Sequence, residues 1–267
     1  MPTPIEIILD PVSISALLIY AGLIAWEALA PARPLPGVRG WVAKGLISFA
    51  AYFYLSTYLP LFWDQYLAPY QLLDLTGAGT AVGVVVGMLV VELGIYWWHR
   101  CMHKFDPLWR VFHQFHHSAE RLDTFGAFWF SPMDMIGWTA LGSLALVGVV
   151  GISPEATTIV LLATFFLTVF QHTNVHTPHW LGYIIQRPES HSIHHQRGVH
   201  YYNFSDFPFL DMLFGTLRNP ATYSEFQDFY HGASSRILSM LTFHDVSEPR
   251  TAEATADASV GRITRST

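Results

Sequence analysis

The chain has 267 residues and a formal charge of −6; 51% of its residues are hydrophobic and 13% charged, against a usual charged share of about a quarter. So much apolar surface calls for a solvent other than water, and a lipid bilayer fits. No basic run interleaved with stacking aromatics occurs, which argues against nucleic acid as a partner, and the single cysteine, Cys101, excludes an internal disulfide framework.

The opening "MPTPIEIILD" lacks the basic region and small-residue cleavage site of a secretory leader, so the first apolar run, about 11 to 29, is read as a retained span. Further runs at about 45 to 63, 79 to 98, 133 to 151 and 155 to 172 approach the roughly 20 residues a helix needs to cross a bilayer. The last two are joined by "GISPE", where Ser153 can cap a helix that opens on Pro154 and Glu155. They form a tight hairpin that either crosses fully or dips partway. No alternating pattern is long enough for a sheet and no solenoid-type repeat is present. The expected fold class is all-α: an integral membrane helical bundle with a four-helix core, an extra N-terminal span and a cytosolic helical cap rich in histidine.

Charge sets the orientation. From an outside N-terminus, Arg33, Arg39 and Lys44 fall inside, as do Arg100, Lys104, Arg110, Arg121 and every Lys and Arg after residue 180. None of the 14 basic residues falls in an outside segment, which is the bias of cytoplasmic loops. Trp63, Trp97, Trp98, Trp129 and Trp180, near span ends, read as belt or core residues.

Ten of the 14 histidines lie in four clusters on that inner side: "HRCMH" (His99, His103), "HQFHH" (His113, His116, His117), "HTNVH" (His172, His176) and "HSIHH" (His191, His194, His195). One histidine near a membrane end is ordinarily an interfacial or hydrogen-bonded residue. Ten together would repel when protonated and waste acceptors when neutral, unless cations shared them. His99 and His103 are i, i+4, as are His172 and His176, so each pair is expected on one helical face. In H-x-x-H-H the first two histidines project together at i, i+3, and the last is turned by about 100° from its neighbour, so one triplet can serve two metals. The expected division is His99, His113, His116, His191 and His194 around one metal, and His103, His117, His172, His176 and His195 around the other. Imidazole suits iron, copper, zinc and nickel, so the ligands alone do not name the element. Neither the Glu-x-x-His of soluble di-iron bundles nor the His-Glu-x-x-His of zinc proteases occurs.

Glu92 shares a helical face with Tyr96, His99 and His103, and an acid inside a span is a functional candidate. It is read as an acceptor that orients a ligand imidazole; a protonated glutamate bonded to a neighbouring helix is the structural alternative. Asn174 and Asp211 are candidates for the same role. The segment "ERLDTFGAFWFSPMD" is expected to cover an apolar cleft between the spans, with Pro132 and Asp134 marking either an entrance or a helix start.

Taken in order, "ELGIYWWHRCMH", "HQFHH", "QHTNVH", "HSIHH" and "NFSDFPFLDMLFGT" resemble the fatty acid hydroxylase and sterol desaturase superfamily of membrane di-iron oxygenases, over roughly residues 85 to 220. The resemblance implies two iron ions held on the cytosolic side by the clustered histidines, with zinc possible in purified samples. It implies O2 and two electrons used to hydroxylate or desaturate a lipid such as a fatty acyl chain, sterol or carotenoid. No His-Pro-Gly-Gly haem motif is present, so electrons are expected from a separate NAD(P)H-linked carrier, a ferredoxin or cytochrome b5 type with its reductase. Many relatives keep only the positions matched here by His172 and Asn174, which singles out His176, and Ser205 stands where glycine is frequent. On this reading 1–78 holds N-terminal membrane helices, 79–246 a catalytic domain with hairpin and cap, and 247–267 a small, polar, disordered tail. Two other classes compete. A membrane b-type cytochrome would use histidine pairs as haem ligands but leaves the triplets unexplained. A non-catalytic metal-binding or transport protein predicts ionisable groups along a transmembrane path, whereas these gather at one end.

Overall fold

A computed structural model of the chain describes residues 1–225, 227 and 229–249. Most of the expected tail, from residue 250 on, lies outside the described residues. Five helices dominate: α1 (Pro11–Leu29), α2 (Trp41–Leu67), α3 (Thr80–Lys104), α4 (Pro132–Ser143, prolonged by a π-helical turn over Leu144–Val149) and α5 (Pro154–His172). All five are long and apolar enough to cross a bilayer, and the protein is an all-α, multi-pass membrane bundle. Leu18, Ile47, Val85, Leu144 and Leu161 face outward, where lipid rather than water suits them.

Local chemistry fixes three of the helix starts. Asp10, Ser131 and Ser153 each stand before a proline at the first helical position and accept from a backbone N–H, of Val12 at 2.9 Å, Asp134 at 3.0 Å and Ala156 at 3.2 Å. Helix α1 packs on α5, α2 on α4 and α3 on α5. Small residues permit the last approach: a Cβ at Gly83 would lie 2.8 Å from that of Ala156, and one at Gly87 would lie 2.9 Å from Cδ1 of Ile152. The only strands among the described residues are two residues each, Leu73–Asp74 and Val150–Gly151, paired in parallel to tie the α2–α3 loop to the α4–α5 turn.

The opposite end of the bundle carries the cap, built from residues 30–40, 105–131, 173–225, 227 and 229–249. Trp41, Trp109, Phe115, Trp129, Tyr230 and Met240 form an apolar cluster there. Two polar ties lock it onto the spans. Trp41 Nε1 donates to both carboxylate oxygens of Asp123, at 2.9 and 3.1 Å. Glu27, near the end of α1, accepts from Thr124 N at 2.8 Å, Thr124 Oγ1 and Asn174 N at 3.0 Å, so one buried carboxylate stitches the first span to two cap segments. Residues 1–78 thus pack into the same bundle as the remainder.

Candidate metal centre

The last turns of α3 present His99 and His103. After Phe105 the chain makes a short helix, Asp106–Leu108, then a π-helical turn, Trp109–His113, and one α-turn, Gln114–His117, which together set out the first triplet. Helix α5 ends on His172. The short helix α6 (Pro188–His194) carries His191 and His194 and is followed by His195 at its C-cap. Arg187, fully buried, anchors α6 by donating to Thr177 O at 2.9 Å and Asn219 Oδ1 at 2.8 Å while pairing with Glu189 at 3.3 Å.

Nine imidazoles converge in two groups: His99, His103, His113, His117 and His194 in one, and His116, His172, His191 and His195 in the other. Within each group one ring nitrogen per residue lies within 4.8 Å of the rest. Each triplet does feed both groups, as its spacing implied, but the partition differs from expectation. His113 with His117, and His191 with His195, go together at i, i+4, and the middle residue crosses to the other group. The physical reason is angular: at about 100° per residue, i+4 returns to within about 40° of the start, closer than i+3. His176 joins neither group. The helix ends at His172 and Thr173 is extended (φ −65°, ψ 152°), so the i, i+4 relation to His176 never forms; its side chain is 72% exposed, 3.8 Å from Glu189.

The donor set fits metal. Nδ1 of His99 donates to Phe204 O at 2.8 Å, that of His172 to Thr168 O at 2.6 Å, and that of His194 to Tyr202 O at 2.9 Å, which leaves Nε2 of each as an inward lone pair. Nε2 atoms then meet Nε2 atoms: His99 and His113 at 2.9 Å, His117 and His194 at 3.2 Å, and the chain His116, His172, His191, His195 at 3.0, 3.1 and 3.1 Å. Protons cannot fully satisfy that last run, because each Nε2 carries one N–H or one lone pair, whereas those of His172 and His191 each face two neighbours. Both ring nitrogens of His103 are buried without a hydrogen-bond partner. Burial first, then neighbouring imidazoles, hold His113, His116, His117, His191, His194 and His195 well below the ordinary histidine range, so they are neutral and able to bind a cation.

The carboxylates named from the sequence sit one step further out. Glu92 is fully buried and accepts from Asp206 N at 3.2 Å and Phe207 N at 3.1 Å, touching no imidazole. Asp211 accepts from Phe204 N, Ser205 N, Ser205 Oγ and Thr216 Oγ1 at 2.6 to 3.0 Å. Both acids therefore shape the loop whose Phe204 carbonyl orients His99, and Ser205 closes that loop through its hydroxyl. Asn174 instead donates to Arg33 O at 2.7 Å and belongs to the tie between α1 and the cap.

Two further residues stand beside the site, Asp134, read from the sequence as marking an entrance or a helix start, and His200, given no role. Asp134, with both oxygens buried and unpartnered, lies 3.7 Å from Nδ1 of His113. It is a buried helix-start residue rather than part of an entrance, though its place after the Ser131–Pro132 start was a signal for that burial. His200 stacks on His103 with ring centroids 5.5 Å apart, and its Nδ1 is buried without a partner; it stands alone in sequence, so no spacing marked it.

A cavity of about 380 Å³ runs from His99, His113, His116, His172 and His191 down between α2, α4 and α5. Its walls are mainly apolar, with Phe128 and Phe130 of the covering segment among them.

An all-α membrane bundle with two imidazole groups that could hold metal ions, at the head of an apolar cavity, defines a class of histidine-rich membrane protein. Residues 84–216, about half of the chain, match the family model "Fatty acid hydroxylase". Among curated proteins the chain is 25% identical over 170 residues to a Delta(7)-sterol-C5(6)-desaturase of Nicotiana tabacum, covering 59% of this chain and 57% of the relative. It is 31% identical over 144 residues to an ornithine lipid hydroxylase of Rhizobium tropici, 52% of this chain and 43% of the relative. It is 29% identical over 136 residues to sphinganine C4-monooxygenase 1 of Arabidopsis thaliana, 49% of this chain and 52% of the relative. The chain thus matches about half the length of these relatives, and no solved structure matches it. Through residues 84–216 it belongs to the fatty acid hydroxylase and sterol desaturase superfamily.

Proposed function

We propose that this protein is a membrane di-iron oxygenase that hydroxylates or desaturates a hydrocarbon carbon of a bilayer lipid. The observation that carries the reading is the position of the two buried imidazole groups at one end of an apolar cavity, where a lipid chain and the metals would meet. His99, His103, His113, His117 and His194 would hold one iron, and His116, His172, His191 and His195 the other; zinc in a purified sample would be adventitious. Bound iron would supply the redox chemistry that turns O2 and two electrons against an unactivated C–H bond.

The chain's own residues do the positioning. Carbonyls of Phe204, Thr168 and Tyr202 fix the ring tautomers, Glu92 and Asp211 brace the loop behind them, and the cavity wall selects which carbon lies at the histidines. Trp138 and Phe130 set apolar rings against His99 and His116 at that end of the cavity. Hydroxylation places one oxygen atom in the lipid and releases the other as water; desaturation takes two hydrogens from the lipid and releases both oxygens as water. A separate NAD(P)H-linked carrier, a ferredoxin or cytochrome b5 type, would deliver the electrons on the cytosolic side. That side is supported by the Lys and Arg residues among the described ones, none of which lies at the opposite end of the bundle. Residues 79–246 form the proposed catalytic domain. The sterol, ornithine lipid and sphinganine named for the relatives support a membrane lipid as substrate.

Expression with a matched reductase system and mass spectrometry of total lipids and pigments tests this. A species gaining one oxygen or losing two hydrogens is expected, and its loss in His195→Ala, with the protein still inserted, ties it to the metal site. No such species from an iron-loaded, reduced preparation would remove the proposal.

A further inference from the structure

One face of α3 marks where the bilayer ends. Val82, Val85, Leu89, Leu93 and Trp97 are exposed at spacings of three or four, a single outward stripe, and Arg100 and Lys104 continue that spacing beyond Trp97. From Thr80 to Trp97 the helix rises about 26 Å at ~1.5 Å per residue, close to the ~30 Å of a hydrocarbon core. Trp97 therefore stands at the cytosolic boundary, with the two cations at the level of lipid phosphates.

A cap helix lies against that boundary. Helix α7 (Phe209–Leu213) is followed by Phe214, which stacks on Tyr96 at 5.0 Å and meets Trp97 at 5.1 Å. Phe209, Met212, Leu213 and Phe214 are all exposed, Leu213 by 72%. So large an apolar face is unsuited to water, and through the contact of Phe214 with Trp97 it extends the stripe of α3. The opposite face of α7 is turned to the metal centre. Leu210 is buried with Tyr96 and Phe204, and Asp211 holds the loop whose Phe204 carbonyl accepts from His99 Nδ1.

Resting on the reading of the imidazole groups as metal sites, we propose that α7 is seated in the cytosolic leaflet and that the lipid surface thereby braces the loop that orients His99. Phe209, Met212 and Leu213 lie among the upper acyl carbons, beside phosphates that face Arg100 and Lys104. The partner is the boundary between headgroups and acyl chains. Continuity with a spanning helix, and the cations beyond it, favour lipid over a protein at this face.

The first measurement reads the seat. Leu213→Cys, in a Cys101→Ser background, is labelled with the fluorophore NBD, and the full-length protein is placed in phosphatidylcholine vesicles; Leu93→Cys, labelled alike, is the lipid-facing reference. A phosphatidylcholine carrying a nitroxide near the top of its acyl chain is expected to quench both labels, and aqueous iodide neither. Quenching of the Leu213→Cys label by iodide and not by the nitroxide overturns the inference and leaves this face to a protein partner.

The second measurement reads the bracing. At a water-facing position Leu213→Glu is near neutral, whereas a seated helix must lift the new charge out of the leaflet and carry Asp211 with it. In zinc-loaded protein in the same vesicles, a chelator is expected to strip metal from Leu213→Glu about tenfold more readily than from the unaltered protein, with Leu213→Met unchanged. Equal retention by inserted Leu213→Glu overturns the inference. Unaltered protein that retains no zinc removes the metal-site reading, and the inference with it. Neither measurement uses lipid oxidation, so the inference can fail while the proposed activity stands.

Discussion

The backbone carbonyl of Phe204 stands 2.8 Å from Nδ1 of His99, although 105 residues separate them. That contact sets which nitrogen of His99 faces the cluster, and it exists because Asp211 collects four donors and folds residues 203–216 into one shape. Asp211→Ala should therefore weaken metal binding at the five-imidazole group by about 10- to 100-fold, the usual effect of losing support behind a ligand. Chelator competition on the purified protein would show it, with the four-imidazole group keeping its metal. Two metals held as firmly as before would take this loop out of the account.

His176 and His191 make a contrasting pair. His176→Ala should leave metal content unchanged and lipid oxidation within about twofold, since surface substitutions away from special features are near neutral. His191→Ala removes an inward ring from the group of four and should halve the metal bound per chain. Elemental analysis of both variants, prepared alike, distinguishes the two positions.

Acidification should loosen the metal-free protein. Burial holds the six cap imidazoles from His113 to His195 well below the ordinary histidine range in the folded state, so the unfolded chain takes up protons first as pH falls. Stability is then greatest above about pH 6.5 and falls below it. Metal-free protein melted at a series of pH values from 8 to 5 should show a midpoint that drops below pH 6.5, and bound metal should flatten the drop at constant free metal. A flat profile without metal would mean these rings are not buried as described.

Glu27→Ala removes an acceptor shared by Thr124 and Asn174 and leaves their buried N–H groups unpaired, at a cost of roughly 2–3 kcal/mol. Thermal unfolding should reveal it as a lowered midpoint. Glu27→Gln, which keeps one acceptor oxygen, should recover part of the loss. If the alanine variant melts with the unaltered protein, the tie is ornamental.

Much of the bundle was legible because its cause is local. Asp10, Ser131 and Ser153 announce their helices by chemistry acting over a few residues, and the five spans follow from apolar length alone. The histidines were legible as residues but not as partners. The i, i+4 angle separates His116 from His113 and His117, but that it then meets His172 depends on the π-helical turn at 109–113 and on where α5 stops, both outcomes of packing. The i, i+4 reading of His172 and His176 failed for that reason: it assumed a helix that the extended Thr173 ends. The nearness of Asp134 to His113, and of His200 to His103, was not legible because each rests on a single residue and a partner distant in the chain.

The carboxylate of Glu27 also dictates an order of assembly. It leaves the ribosome 97 residues before Thr124 and 147 before Asn174. Throughout that interval an acid near the end of an inserted span waits without the donors that will finally hold it. Cap closure is thus a late, long-range event, slow in proportion to the chain that must first be made. The two segments that Glu27 finally holds adjoin His117 and His172, so one carboxylate steadies the surroundings of both imidazole groups.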